Sequence, residues 1–168
     1  MAVLNVVLYW ALVYAGAGQR KQDSASEGER ACAIAVARLQ ERILGYRVMA
    51  PAVGVTAPSL SYMVASRDAD GNFEVGPGGE PVWVGPLQLS TQLEPSTQEV
   101  LLTGPSDQNS AESQLLARLG PQGRVMFSRV SEKLLDVVVE AAHDHDVETT
   151  RSYRSRARVR IYLQNQEP

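Results

Sequence analysis

The sequence predicts an α+β fold, with one long N-terminal helix, hydrophobic and then amphipathic, packed across an antiparallel β-sheet. Three observations predict it. Residues Ala2 to Gly18 carry no charged side chain. Apolar residues then recur at helical spacing as far as Tyr46. Beyond Pro51 the chain alternates with a period of two between clusters of turn-forming residues.

The opening run, AVLNVVLYWALVYAGAG, contains one strongly polar residue, Asn5. As a helix it would be about 25 Å long, a little short of the roughly 30 Å hydrocarbon core of a bilayer. Being apolar on every side, it lacks the polar face of a surface helix. Val3, Leu4, Asn5, Val6, Val7, Leu8, Trp10, Leu12 and Val13 are its candidate membrane or assembly residues. Tyr9, Trp10 and Tyr14 suit protein-lined surroundings, where their polar tips find partners. A cleaved secretory signal is the main rival reading. Ala15-Gly16-Ala17 resembles a small-residue cleavage site, but Met1-Ala2-Val3 offers no basic residue ahead of the run. A buried core helix is the third reading. Arg20 and Lys21 follow the run, an order that the positive-inside rule would read as a cytoplasmic body.

Cys32, Val36, Leu39, Ile43 and Tyr46 share one helical face, with Arg30, Arg38, Glu41 and Arg42 on the others. A left-handed Gly45 is expected to stop this helix. Ser24 and Glu27 form a capping box, and Gly16 and Gly18 weaken a continuous rod. Two geometries compete: one helix over about 3–45, which is preferred, or two helices joined near 17–24. The expected organisation is a helical region at 1–45, with its membrane or filament-core part at about 2–18 and its amphipathic part at about 24–45. A globular antiparallel β head follows at 46–168.

Within the head, Leu60, Tyr62 and Val64 alternate with Ser59, Ser61 and Met63. DADGN at 68–72 and GPGGEP at 76–81 supply turn chemistry around a return at Phe73–Val75. Short strands are expected at Val82–Val84, Leu87–Leu93 and Glu99–Thr103. Asn109 and Glu112 are expected to cap a short helix that Gly120-Pro121 stops after Leu119. Leu135, Val137 and Val139 oppose Asp136 and Glu140 on a further strand. Ala157, Val159, Ile161 and Leu163 alternate with Arg154, Arg156, Arg158 and Arg160 on the clearest one. A length of 168 residues suits one domain, and a net charge of −3 argues against binding polyanions by whole-surface charge. Cys32 is the single cysteine, so no internal disulfide can form.

The order of these parts resembles the minor pilins of type IV pili and the minor pseudopilins of type II secretion systems. The resembling pieces are the apolar start, its continuation GQRKQDSASEGERACAIAVARLQERI, the strand pair RVMFSRVSEKLLDVVVEA, and SRARVRIYLQN with Asn165. The family's glutamate at the fifth position of the mature helix is Asn5 here, counted from Met1. The resemblance implies a structural filament subunit of pilin-like fold, with no enzyme activity, cofactor or small-molecule substrate. Its partners would be other pilin or pseudopilin subunits, and the inner membrane before assembly. The subunit would be single-pass, with its head in the periplasm, and extracytoplasmic once assembled. Nucleic acid enters only if the filament serves DNA uptake. The alternative is a secreted or periplasmic β-rich binding domain whose signal is cleaved.

Four features of the sequence bear on sharper chemistry. Asp68, Asp70 and Asn72 have the one-three-five spacing that opens a calcium loop, and some pseudopilins use calcium. Phe73 stands where the sharp turn wants glycine, however, and an ordinary hairpin turn explains the motif better. His143 and His145 would share a strand face as a zinc pair, yet a solvated loop is the plainer reading, so no metal is assigned. The arginines at 154, 156, 158 and 160 could grip an anionic partner, against the plainer reading of pairing across a hairpin with nearby acids. No nucleophile elbow, phosphate loop or Cys/His pair is found, so no catalytic residue is assigned.

Overall fold

The computed structural model describes residues 25–105, 112–143 and 153–164. The apolar run at 2–18, and with it the candidate residues from Val3 to Val13, lies outside the described residues. A helix, α1, spans residues 25–43. Nine strands follow among the described residues: β1 (Arg47–Ala50), β2 (Thr56–Ala57), β3 (Leu60–Ala65), β4 (Trp83–Glu94), β5 (Glu99–Pro105), β6 (Ser113–Arg118), β7 (Arg124–Ser131), β8 (Leu134–His143) and β9 (Tyr153–Tyr162). They make two sheets, in the orders β1-β3-β4-β5-β6 and β2-β7-β8-β9, and every pairing is antiparallel.

This corrects the expected α+β class. The described chain is mostly antiparallel β in two sheets with one short helix of 19 residues, not a long N-terminal helix packed on a sheet. Alternation along a strand says which side chains face inward, but not which strand lies beside it. The division into two sheets therefore had no local signal.

Segment 112–119 is a second correction; Asn109, of the expected cap, lies outside the described residues. The residues expected to form a short helix instead supply β6, whose Ala117 pairs with Leu102 and whose Leu115 pairs with Thr103. Pairing with β5 outweighs the local helix preference of Leu and Ala, as tertiary context commonly does. The two strands expected at Val82–Val84 and Leu87–Leu93 are one continuous β4, with Gly85 and Pro86 inside it. Gly85 is required there. Its φ is +150°, and a Cβ would stand 3.0 Å from the carbonyl oxygen of Tyr62.

The amphipathic reading of α1 holds. Cys32, Leu39 and Ile43 are buried together with Ala35, and Val36 packs partly buried against them. Burial of Leu39 or Ile43 stabilises the fold by roughly 1.5–3 kcal/mol each. Polar contacts locate the helix. The Cys32 thiol donates towards the carbonyls of Val139 and Ser155, at 3.7 and 3.4 Å, which places this part of α1 over β8 and β9. About two and three turns on, Arg38 donates to the Leu115 carbonyl at 3.2 Å and Arg42 to that of Pro105 at 2.6 Å, beside β6 and β5. The helix thus touches both sheets.

Its end differs from expectation. Gly45 is not among the glycines with positive φ, and the chain turns instead through a bond from the Tyr46 amide to the Ile43 carbonyl at 3.0 Å. The Tyr46 ring then stacks on Tyr62 of β3, with centroids 4.0 Å apart and planes 6° from parallel.

One core serves all these elements, drawing on α1, the inner faces of both sheets and the connecting residues Leu119 and Leu163. Leu119 joins the sheets through its backbone. Its amide donates to Val100 of β5, and its carbonyl accepts from Ala142 of β8, both at 2.9 Å. The turn back from Leu119 needs Gly123, where a Cβ would lie 2.5 Å from the Leu119 carbonyl oxygen.

Candidate functional site

Among the described residues, a dense concentration of charged side chains lies on the outer face of the second sheet. Strand β9 pairs with β8 in an unbroken ladder from His143↔Tyr153 to Leu134↔Tyr162. Ile161 faces inward to the core, with Ala157 and Val159 packed partly buried against it. The intervening Arg154, Arg156, Arg158 and Arg160 therefore share the outer face, spaced about 6.6–6.8 Å apart along the strand. Sequence alternation predicted this row correctly. Arg124 of β7, opposite Glu140, belongs to the same face, although the sequence reading had not grouped it there. The available signal was the alternation of Arg124, Met126 and Ser128 with Val125 and Phe127.

Two acids sit beneath this arginine layer. Asp136, with its side chain 5% exposed, accepts from Arg160 Nε at 2.7 Å and from Arg160 Nη2 at 3.2 Å, and it also pairs with Arg158. Glu140 accepts from Arg124 Nε at 2.6 Å, with Arg156 at 3.6 Å. The hydrogen bonds from Arg160 and Arg158 hold the Asp136 carboxyl down to about 2, from an ordinary 3.8, against the opposing effect of its burial. Glu140 is lowered in the same way, first by its bond to Arg124. Arg154 reaches Gln122 Oε1 at 3.0 Å.

The expected cross-strand pairing of acids with the arginine row is thus present for Glu140, and Asp136 joins it. Asp144, Asp146 and Glu148 lie outside the described residues. Among the described residues, pairing does not neutralise the face. Five guanidiniums (Arg124, 154, 156, 158 and 160) stand over two carboxylates, a net charge of +3. Arg158, Arg156 and Arg160 remain 63%, 66% and 58% exposed. Arginine in this setting presents several unused donors in a planar fork suited to carboxylate or phosphate.

The DADGN loop is a closed turn. Asp68 Oδ1 accepts from the amides of Asp70 and Asn72 at 3.0 and 2.9 Å, and the Asn72 side-chain amide donates to Oδ2 at 3.5 Å. Gly71 supplies the left-handed conformation, with φ of +84°, and Arg67 Nη1 donates to its carbonyl at 2.6 Å. Local hydrogen bonding thus accounts for Asp68, the first residue of the calcium pattern. Among the described residues no group of three or more His, Cys, Asp or Glu could hold a metal ion. His145 lies outside the described residues.

Two further features are structural. Cys32 is buried, and desolvation pushes its thiol pKa above the usual range, the opposite of what a nucleophile needs. A groove of about 360 Å³ lies between α1 and β6, lined by Arg38, Glu41, Arg42, Tyr46, Gln114 and Leu116. Arg38 and Arg42 are engaged there in holding the helix to backbone carbonyls. Among the described residues no helix is long and apolar enough to cross a membrane. No family model, curated protein or solved structure matches this chain.

Proposed function

We propose that the chain is a structural subunit of a pilin-type filament, a minor pilin or pseudopilin, held in the inner membrane by residues 2–18 before assembly, with its body in the periplasm. One observation carries this reading. The uncharged run leads, after a short polar stretch, into a helix whose buried face is locked into the core of the body by Cys32, Ala35, Leu39 and Ile43. An apolar segment attached through so firmly seated a helix transmits force to the body, which suits a subunit lifted from a membrane into a filament. A uniformly apolar segment also needs lipid or other helices around it, and a filament core supplies the latter.

Fractionation of cells making the full-length chain tests this. The chain should pellet with membranes, resist alkaline carbonate and dissolve only in detergent. A full-length chain that stays in the supernatant as a compact monomer overturns the anchor and the filament role with it.

The mostly β body, with one core shared between two sheets, favours a second reading: a secreted or periplasmic binding domain released by cleavage near Ala17. Sequencing the N-terminus of the mature protein separates the two. A start near Gly18 supports the secreted domain, and retention of Val6 to Tyr14 supports the filament subunit.

A further inference from the structure

The arginine face has a counterpart in the same chain. From Asp68 to Glu112 every charged residue is acidic, and the basic residues resume only at Arg118. This acidic stretch begins with the excursion between β3 and β4, residues 66–82, which is built as a double turn. The Glu74 amide donates to Ser66 at 2.9 Å, and the Val82 amide to Glu74 at 3.0 Å. Isolated bridges tie Arg67 to Phe73 and Val75 to Pro81.

The excursion carries Asp68, Asp70, Glu74 and Glu80 against Arg67 alone, a net charge of −3. Arg67 lies over the Phe73 ring, 4.0 Å from its centroid. Among the described residues no ion pair reaches Asp70, Glu74 or Glu80 from the arginine face, whose carboxylate partners are Asp136 and Glu140. Phe73 and Val75 are 55% and 64% exposed on the same excursion. The arginine face offers a matching composition: half-buried Met126 and Val138, ringed by arginines, with Tyr162 56% exposed at the end of the row. Apolar groups surrounded by arginine and tyrosine are the usual make-up of a protein interface.

We propose that the outer face of β7–β9 binds the acidic 66–82 excursion of a second copy of this chain. The contact joins two different surfaces, so it is heterologous, and a pair still carries one free arginine face and one free acidic excursion. Repeated, it extends into a ring or an open chain. It rests on the filament reading for its setting, although its test does not depend on the membrane anchor. The −3 of a second copy's excursion matches the +3 of the arginine face, whereas the denser charge of a polyanion would extend past that face and be repelled by the acidic stretch of the chain. Arginines rather than lysines suit it as well, since their forks take carboxylates in a fixed orientation.

The test uses the full-length chain in a non-ionic detergent, followed by sedimentation velocity and light scattering across protein concentration and salt. Self-association is expected, weakening about tenfold or more as added salt shortens the screening length from about 10 Å to about 3 Å. Arg154→Glu with Arg156→Glu leaves Asp136 its two arginines and Glu140 its Arg124, and it should abolish association. Asp70→Lys with Glu74→Lys, both exposed, should abolish it too. Mixing these two inactive variants should restore assembly, because each acidic surface then meets a basic one, an outcome that misfolding of either variant cannot mimic.

A monomeric wild type, association indifferent to salt and to both reversals, or no rescue on mixing each overturns the proposal. So does an arginine double variant that still self-associates but has lost binding to single-stranded DNA, since the face would then serve a nucleic acid. A chain that sediments with membranes but fails these assays leaves the filament role standing and removes this contact. A soluble chain that passes them does the reverse.

Discussion

Replacing Asp136 with asparagine should destabilise the protein by an amount that disappears in acid. Asp136 is buried beneath Arg158 and Arg160, which hold its carboxyl down from 3.8 to about 2. At 1.36 kcal/mol per pH unit, the difference corresponds to about 2.4 kcal/mol of folding free energy. Both guanidiniums are more than half exposed, so solvent screening lowers the expected effect to roughly 1–2 kcal/mol.

The sign follows from the direction of the shift. A carboxyl with a depressed folded-state pKa contributes fully above its unfolded value of 3.8, and the contribution is lost as pH falls through about 2. Urea unfolding of wild type and Asp136→Asn should therefore differ by roughly 1–2 kcal/mol near pH 6, with the two curves converging as pH approaches 2. Guanidinium chloride is unsuitable, because its ions screen the pair under study. A gap that stays constant from pH 6 to the acid limit would refute the electrostatic account and leave only a packing defect.

Three other outcomes are expected. Gly123→Ala should lower the thermal midpoint, with a cost of roughly 1–3 kcal/mol, because the new Cβ meets the Leu119 Cβ and backbone carbonyl, none of which can move without the main chain. The Cys32 thiol should resist a chromogenic disulfide reagent at pH 8 in the native protein and react at once in urea, since burial both hides it and raises its pKa. Asp68→Ala should cost about 1 kcal/mol by freeing two turn amides, and differential scanning fluorimetry should give the same loss in millimolar calcium and in EDTA.

The sequence was most legible where one residue's environment is set by its own strand or helix. The alternation at 154–163 placed the arginines outward and Ile161 and Leu163 inward, and the four-and-three spacing placed Cys32, Leu39 and Ile43 in the core. It misled where a distant partner decides. Residues 113–118 have good helix formers behind a capping pattern, yet β5 recruits them as a strand. Gly85-Pro86 looked like a strand break, but pairing of Val84 with Val64 and of Leu87 with Tyr62 carries β4 through it. Asp136 and Glu140 were recognised as outward-facing, but their burial comes from arginines on neighbouring strands, and no single segment reveals that.

The seat of α1 has a consequence for how this protein is made. The Cys32 thiol rests on the carbonyl of Ser155, 123 residues further along the chain. A ribosome therefore releases the helix long before the strand that completes its berth. Throughout that interval Leu39 and Ile43 have no finished core to enter, and the apolar run ahead of them is also out of the tunnel. Contacts of such long range fold late. A holding chaperone, or early engagement of the N-terminal segment with a membrane, would have to shelter the helix until β8 and β9 close beneath it.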